Sequence, residues 1–280
     1  MTCTAVIPRV FTEPPAIVGH RGLGAGVVLG QVENTLGSFL AAVEAGLQWV
    51  EVDVRRTLDD QLFVAHDAAF GNGAFLAEMT AAEASGQGAL RIEELLEALP
   101  SEAGVVFDVK SSLEDAGRAA GGTTAALLAR IGTSALKRRP TMAASFDPGA
   151  LRHLRHESPE LPLGLLTWLH FPIGHAVAAA AHLDVQVLAV HAGSLWPNEA
   201  TAPIDIPSLQ RIVSQVHRSD RQLLVWCPSP EQAQYLVAAG VDALVVDDVP
   251  AQLRSLTPAG AGLHAAELTA RLGTKPRESL

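Results

Sequence analysis

Cysteine is scarce: Cys3 and Cys227 are the only two in 280 residues. A disulfide framework is therefore excluded as the basis of the fold, and a reducing compartment suits the chain. Basic charge is also in short supply. Lys and Arg number 20 against 30 Asp and Glu, a net charge of −10, which argues against a nucleic-acid-binding surface while leaving room for a small basic pocket. No stretch approaches the ~20 consecutive apolar residues of a membrane span. The Ala-rich run at 176–181 is short and reads as helix. The opening residues 1–15 hold a single arginine and no long apolar run, unlike a secretory leader, so a cytoplasmic location is expected. No internal repeat or low-complexity block is evident.

What is present is an apolar share of 48%, ample for a sizeable core, arranged as short β-branched or aliphatic runs between helical patterns. The runs fall at 16–20, 49–54, 105–109, 141–145, 161–166, 187–190, 222–226 and 243–247. Helical patterns occupy 35–45, 92–99, 117–131, 148–156, 172–182, 208–218 and 230–239. Pro148, Pro172 and Pro230 each suit a first helical turn, and Gly46 and Gly240 sit where helix ends are capped. Near-continuous apolar strands with helical crossovers predict a parallel sheet covered on both faces. Eight of them predict a closed (β/α)8 barrel, which takes roughly 250 residues. Alternation alone leaves an open doubly wound sheet as the other solution. An extra short strand at 63–66 follows the second run, 68–90 reads as a loop or small excursion, and 257–280 reads as a weak helix and polar tail. The expected organisation is one domain over 1–256 with a peripheral tail over 257–280.

Charged residues interrupt the strand runs in a pattern. Glu51 and Asp53 lie two apart in a valine run, so they project to one face while Val50, Val52 and Val54 would meet the helices. Paired carboxylates facing a barrel interior repel each other unless a cation or proton sits between them, and a hard divalent ion with oxygen ligands meets that need. Asp108 and Lys110 repeat the spacing on the next main strand. Asp108 is the candidate third oxygen ligand and Lys110 a candidate for a phosphate oxygen, with a solvent-side ion pair as the bland alternative. His20 ends the first strand and is followed by Arg21, whose guanidinium fork matches phosphate geometry. His66 ends the extra strand and precedes Asp67. Two histidines near an arginine and a carboxylate pair suit proton transfer near neutrality.

Taken in order, His20-Arg21-Gly22, Glu33-Asn34-Thr35, Glu51-x-Asp53, Thr57 with Asp59 or Asp60, and His66-Asp67 resemble the signature of the glycerophosphodiester phosphodiesterases. The resemblance continues at 90–99, Asp108-Val109-Lys110, Ser145-Phe146, Trp226 and Asp248-Val249-Pro250, and so spans roughly 17–250. It implies a TIM barrel, an α/β fold, with a short insertion after the second strand. The activity it implies is hydrolysis of a small-molecule glycerophosphodiester to sn-glycerol 3-phosphate and an alcohol, with Mg2+ or Ca2+ as cofactor, in lipid and glycerol metabolism. By resemblance Glu51, Asp53 and Asp108 hold the metal, His20 and His66 are the acid/base pair, and Arg21 and Lys110 hold the phosphoryl group. Trp226 lines the pocket. Glu33 and Asn34 structure the active-site loop, with Glu33 also a candidate metal neighbour. No nucleic-acid or membrane-spanning role and no particular oligomeric state is implied.

The chain departs from the family pattern at Val32, where a proline is usual, and at Asp108, where the usual residue is the longer Glu. It departs again at 68–74, at Trp226-Cys227-Pro228-Ser229 and at Asp247-Asp248. These departures keep two alternatives open: a lysophospholipase D-type hydrolase, which apolar loop residues Phe70, Phe75, Leu76, Trp168, Phe171 and Trp196 would favour if they gather at the barrel mouth, and a catalytically silent binding barrel. Among the other histidines, His170 and His191 follow the fifth and sixth strands, where they could face the pocket. The glycines from Gly19 to Gly26 lack the register of a dinucleotide fingerprint.

Overall fold

The alternating apolar runs form strands because their two faces meet different apolar surroundings. The computed structural model describes residues 9–110, 115–196 and 205–256. In chain order the first half contains β1 (Ala16–Gly19), β2 (Val27–Val28), β3 (Gln31–Val32), α1 (Leu36–Glu44), β4 (Trp49–Arg56), β5 (Leu62–Val64), α2 (Ala81–Gly86), α3 (Ile92–Ala98), β6 (Gly104–Val109) and α4 (Thr124–Leu136). The second half contains β7 (Thr141–Ser145), α5 (Pro148–Glu157), β8 (Leu163–Leu166), α6 (Ile173–His182), β9 (Val187–His191), α7 (Ile206–His217), β10 (Gln222–Trp226), α8 (Pro230–Ala239), β11 (Ala243–Val246) and α9 (Val249–Leu256). Strands β1, β4 and β6 to β11 are parallel neighbours, and β1 pairs with both β11 and β4. That double pairing closes the sheet into a (β/α)8 TIM barrel and excludes the open doubly wound alternative. β5 lies antiparallel on the end of β4 and adds nothing to the closure.

Strand parity sorts the core into two shells. Val50, Val52, Val54, Phe107, Leu165, Leu188, Val225 and Leu244 pack outward against helix residues such as Phe39, Leu95, Leu128 and Leu151. Ala16, Val18, Trp49, Val106, Met142, Ala144, Ala189, Leu224 and Val245 fill the barrel interior. Among the described residues no helix is long and apolar enough to cross a membrane.

Several boundaries differ from the sequence expectation for local reasons. The helix expected over 117–131 begins at Thr124, because Thr123 caps it by accepting from Ala126 N (3.3 Å) while Gly121 and Gly122 stay in a tight turn before it. The helix expected from 208 starts two residues earlier at Ile206, where Asp205 accepts from Ser208 N (2.6 Å). Pro172 is the residue before α6, not its first turn. The 68–90 excursion carries a helix, α2, whose capping box pairs Thr80 with Glu83, and a satellite core of Phe63, Leu76, Ala81 and Ala84. The hairpin β2–β3 and helix α9 were not expected; two-residue strands show no periodicity. The proposed tail at 257–280 lies outside the described residues.

The amino-terminal end of the barrel is sealed. Phe11, 1% exposed, packs edge-on against Trp49 with ring centroids 5.1 Å apart. The Gln222 side chain accepts from Phe11 N (3.0 Å) and donates to Phe11 O (2.9 Å). Buried Asp242 below it accepts from Arg9 (2.6 Å), His217 (2.6 Å) and Leu223 N (2.8 Å). The carboxyl ends of the strands therefore form the open mouth. Gly104, opposite Trp49 in the β4–β6 register, admits the indole: a Cβ there would lie 2.5 Å from Trp49 Cδ2. Gly104→Ala should lower stability by about 1–3 kcal/mol through overpacking; an unchanged denaturant midpoint would show that the indole moves aside freely.

Candidate active site

The inward parity that puts Ala16 and Val18 in the core brings His20 to the mouth. The same rule places Glu51, Asp53 and Arg55 on β4, and Asp108 and Lys110 at the end of β6. Asp53 and Asp108 are cross-strand partners. Carboxylate oxygens of Glu51, Asp53 and Asp108 lie within 4.8 Å of one another, and all three residues are buried. Lys110 Nζ lies 2.8 Å from Asp53 Oδ1 and also donates to Asp108. Arg21 Nε is 3.2 Å from Asp53 Oδ2, and Arg21 N donates to Glu51 Oε2 (2.9 Å). The turn that permits this runs through Arg21 at φ 53 and Gly22 at φ 100; a Cβ on Gly22 would meet Ser38 Oγ at 2.5 Å.

Glu33 and Asn34 fasten the loop over the carboxylates. Arg21 Nη1 donates to Glu33 Oε1 (2.8 Å), and Glu33 Oε2 accepts from Gly26 N. Asn34 Nδ2 donates to Asp53 Oδ2 (2.8 Å). Glu33 thus lies beyond Arg21 and outside the three-carboxylate cluster. Where the family pattern has proline, Val32 ends a hairpin whose turn residues Leu29 and Gly30 are both at positive φ, so strand pairing replaces the missing ring as the constraint.

Burial and the charges of Asp53 and Asp108 push the Glu51 carboxyl up to about 8, against the pull of His20 and Lys110. Burial raises Asp108 as well, only partly offset by Lys110. For Asp53 burial is outweighed by Lys110, Asn34 and Arg21, which hold it below the ordinary carboxylate range. Asp108 Oδ1 is buried with no hydrogen-bond partner among the described residues. An orphaned carboxylate oxygen in an all-oxygen donor set fits a hard divalent cation such as Mg2+ or Ca2+.

His20 Nδ1 donates to Asp247 Oδ1 (2.5 Å), and its Nε2 lies 3.9 Å from Glu51 Oε2. Burial alone would lower its pKa; the bonds to Asp247 and Cys227 and the charge of Glu51 outweigh this and push it up to about 11. His66 is more open, with a side chain 42% exposed, Nδ1 2.8 Å from Asp67, and its carbonyl accepting from Arg55 Nε (2.9 Å). A cavity of about 630 Å3 is lined by His20, Arg21, Glu51, Arg55, His66, Asp108 and Lys110 on one side and by Phe146, Leu166, Trp168 and Trp226 on the other. Trp168 stacks on Phe146 with centroids 4.2 Å apart. The buried Trp226 Nε1 has no partner among the described residues.

Sequence reasoning missed Arg55 and Asp247, although the i, i+2 rule applied to Asp53 and Val245 points to both. Asp59 and Asp60 serve structure: Asp59 accepts from Thr57 (2.7 Å) and Asp60 from Arg118. His191 stands edge-on to Trp226 (4.4 Å between centroids) behind the cavity wall, and neither it nor His170 is among the cavity-lining residues. Of the apolar loop residues only Trp168 lines the cavity; Phe70 and Leu76 join the satellite core, and Phe171 and Trp196 pack on the outer shell.

The chain matches the Glycerophosphoryl diester phosphodiesterase family over residues 20–251. Solved structures share the fold. One, from Silicibacter pomeroyi and assigned to the glycerophosphoryl diester phosphodiesterases, is 24% identical, covers 88% of this chain and 95% of its own, and has a TM-score of 0.70. An Oleispira antarctica phosphodiesterase in complex with the product sn-glycerol-3-phosphate is 20% identical, covers 89% and 98%, and has a TM-score of 0.67. A glycerophosphodiester phosphodiesterase from Thermotoga maritima is 19% identical, covers 86% and 97%, and has a TM-score of 0.66. Among curated proteins no sequence match is found.

A divalent ion entering between the carboxylates must displace the Glu51 proton. Its affinity should rise about tenfold per pH unit and level off above about pH 8. Titration with Mn2+ followed by electron paramagnetic resonance measures this; affinity that is flat from about pH 6 to about pH 9 would mean that Glu51 carries no proton there.

Proposed function

We propose that this chain, which belongs to the glycerophosphoryl diester phosphodiesterase family, hydrolyses glycerophosphodiesters to sn-glycerol 3-phosphate and an alcohol in the cavity at the carboxyl ends of its strands. The observation that carries the reading is the convergence of the buried Glu51–Asp53–Asp108 cluster, the three cations Arg21, Arg55 and Lys110, and two histidines at one cavity. The product bound to the Oleispira antarctica phosphodiesterase of the same fold supports the choice of substrate. In this reading Glu51, Asp53 and Asp108 hold a divalent ion, Mg2+ or Ca2+. When bound, such an ion supplies charge that polarises the phosphoryl oxygens.

Arg21 and Lys110 hold the non-bridging oxygens of the diester and stabilise the charge that shifts onto them in the transition state. Trp226 lines the same cavity as part of its apolar wall. His20, kept protonated at neutral pH by Asp247, donates a proton to the departing alcohol. His66 takes the proton from the attacking oxygen, its ring oriented by Asp67 and its backbone by Arg55. Glu33 and Asn34 keep Arg21 and Asp53 in place. The family match over most of 1–256 supports one catalytic unit there, and the free thiol of Cys227 suits the reducing cytoplasm. A lysophospholipid as substrate is the second reading, favoured by Trp168, which is 65% exposed yet lines the cavity.

Glycerophosphocholine incubated with the enzyme and Mg2+ or Ca2+ should release sn-glycerol 3-phosphate, and EDTA should abolish the release. Preferential cleavage of lysophosphatidylcholine would move the substrate class to the second reading, while no turnover of either diester at any added ion would make the barrel a silent binder. His20→Ala and His66→Ala should each lower kcat by ~10²–10⁴-fold with little change in substrate binding. A folded His66→Ala enzyme with near-normal kcat would end the base assignment.

A further inference from the structure

A second ligand cluster lies next to the carboxylates and differs from them in chemistry. His20 follows β1, Cys227 follows β10 and Asp247 follows β11, three neighbouring strands of the barrel. One ligand atom from each lies within 4.8 Å of the other two. His20 Nδ1 is 2.5 Å from Asp247 Oδ1, Cys227 Sγ is 3.4 Å from the same oxygen, and Cys227 Sγ is 3.8 Å from His20 Nδ1. Cys227 reaches this place with a left-handed backbone, φ 53, while its N–H donates to Val245 O (2.9 Å).

We propose that His20, Cys227 and Asp247 form a site for a zinc-class divalent ion, separate from the all-oxygen site of Glu51, Asp53 and Asp108. The geometry is close to what such an ion asks for. Tetrahedral zinc, with Zn–N of about 2.0–2.1 Å and Zn–S of about 2.3 Å, sets its donors roughly 3.3–3.6 Å apart. The two separations that involve sulfur already lie near that range, and only the His20–Asp247 pair, now closed around a proton, must open by about 1 Å. The donor chemistry divides the two sites. Imidazole and thiolate select borderline-soft ions, and carboxylates alone select hard ones. Three protein ligands leave the fourth position to water. Charge and protons balance simply: the ion displaces the proton on His20 Nδ1 and the thiol proton of Cys227, and both leave to solvent. Occupancy takes Asp247 away from His20 and ties the imidazole to the ion, so it should oppose any proton transfer that His20 performs.

The test uses the full chain with excess Mg2+ to fill the carboxylate site, titrated anaerobically with Co2+. One equivalent should produce a near-ultraviolet thiolate-to-cobalt charge-transfer band and visible bands of four-coordinate intensity, displaced by Zn2+. Cys227→Ser, checked for folding by its thermal melt, should lose the charge-transfer band even though Cys3 remains. Cys227→Ser and Asp247→Asn should each bind Zn2+ at least ~10-fold more weakly. Absence of the band in the unaltered chain, or its persistence in Cys227→Ser, would overturn the site. Absorbance reads occupancy without turnover, so this outcome is independent of the phosphodiesterase reading. One equivalent of Zn2+ should also slow glycerophosphodiester turnover in the unaltered enzyme and spare Cys227→Ser; equal response of the two would overturn the inhibitory consequence.

Discussion

Three carboxylates buried at one end of a closed barrel are the constraint on which the rest of this molecule turns. Asp53 is fully buried, and Glu51 and Asp108 nearly so. Like charges this close in a low-dielectric mouth cannot all ionise without compensation. Lys110 and Arg21 supply it from two sides, and Asn34 adds a hydrogen bond to the most ionised member. The compensation is incomplete, since Glu51 is pushed toward its protonated form and Asp108 keeps an orphaned oxygen. The site is built with less positive charge than it needs, and a hard cation is the component that would complete it.

The loops around the mouth follow from that arrangement. Arg21 can serve Glu51, Asp53 and Glu33 together only because the chain turns sharply at Arg21 and Gly22 and tucks against the start of α1. The β2–β3 hairpin then returns Glu33 to Arg21 and delivers Asn34 to Asp53. Arg55, on the same inward row as Glu51 and Asp53, reaches outward to the carbonyl of His66. At the sealed end the charged group Asp242 is engaged by Arg9, His217 and Leu223 N.

The positions at which this chain departs from the family pattern bear on the same geometry. Val32 loses the proline ring and gains a strand partner in Val27. Asp108, one bond shorter than Glu, still stands in register with Asp53 and keeps its carboxylate in the cluster. Cys227 and Asp247 both converge on His20, which gives that imidazole a bonded carboxylate and a thiol neighbour. The first two departures preserve the hard-ion cluster, and the latter two surround His20 beside it.

Eight near-continuous apolar runs separated by helical patterns determined a parallel sheet covered on both faces, because strands of that kind need apolar cover on either side. Side-chain alternation along those strands determined that His20, Glu51, Asp53, Asp108 and Lys110 share the interior face, since a strand offers each side chain only two directions. Helix starts were legible to within a residue or two where proline and a capping side chain agree, as at Asp147-Pro148 and Ser229-Pro230. Other features depended on contacts between residues far apart in the chain. Barrel closure rests on β1 meeting β4 and β11 at once. The pairing of His20 with Asp247 spans 227 positions, and that of Phe11 with Gln222 spans 211. The sharing of Lys110 between Asp53 and Asp108 depends on β4–β6 register. Local pattern specifies which way a side chain points; which charges then meet, and how far each is driven from its ordinary pKa, depends on the register and closure of the whole sheet.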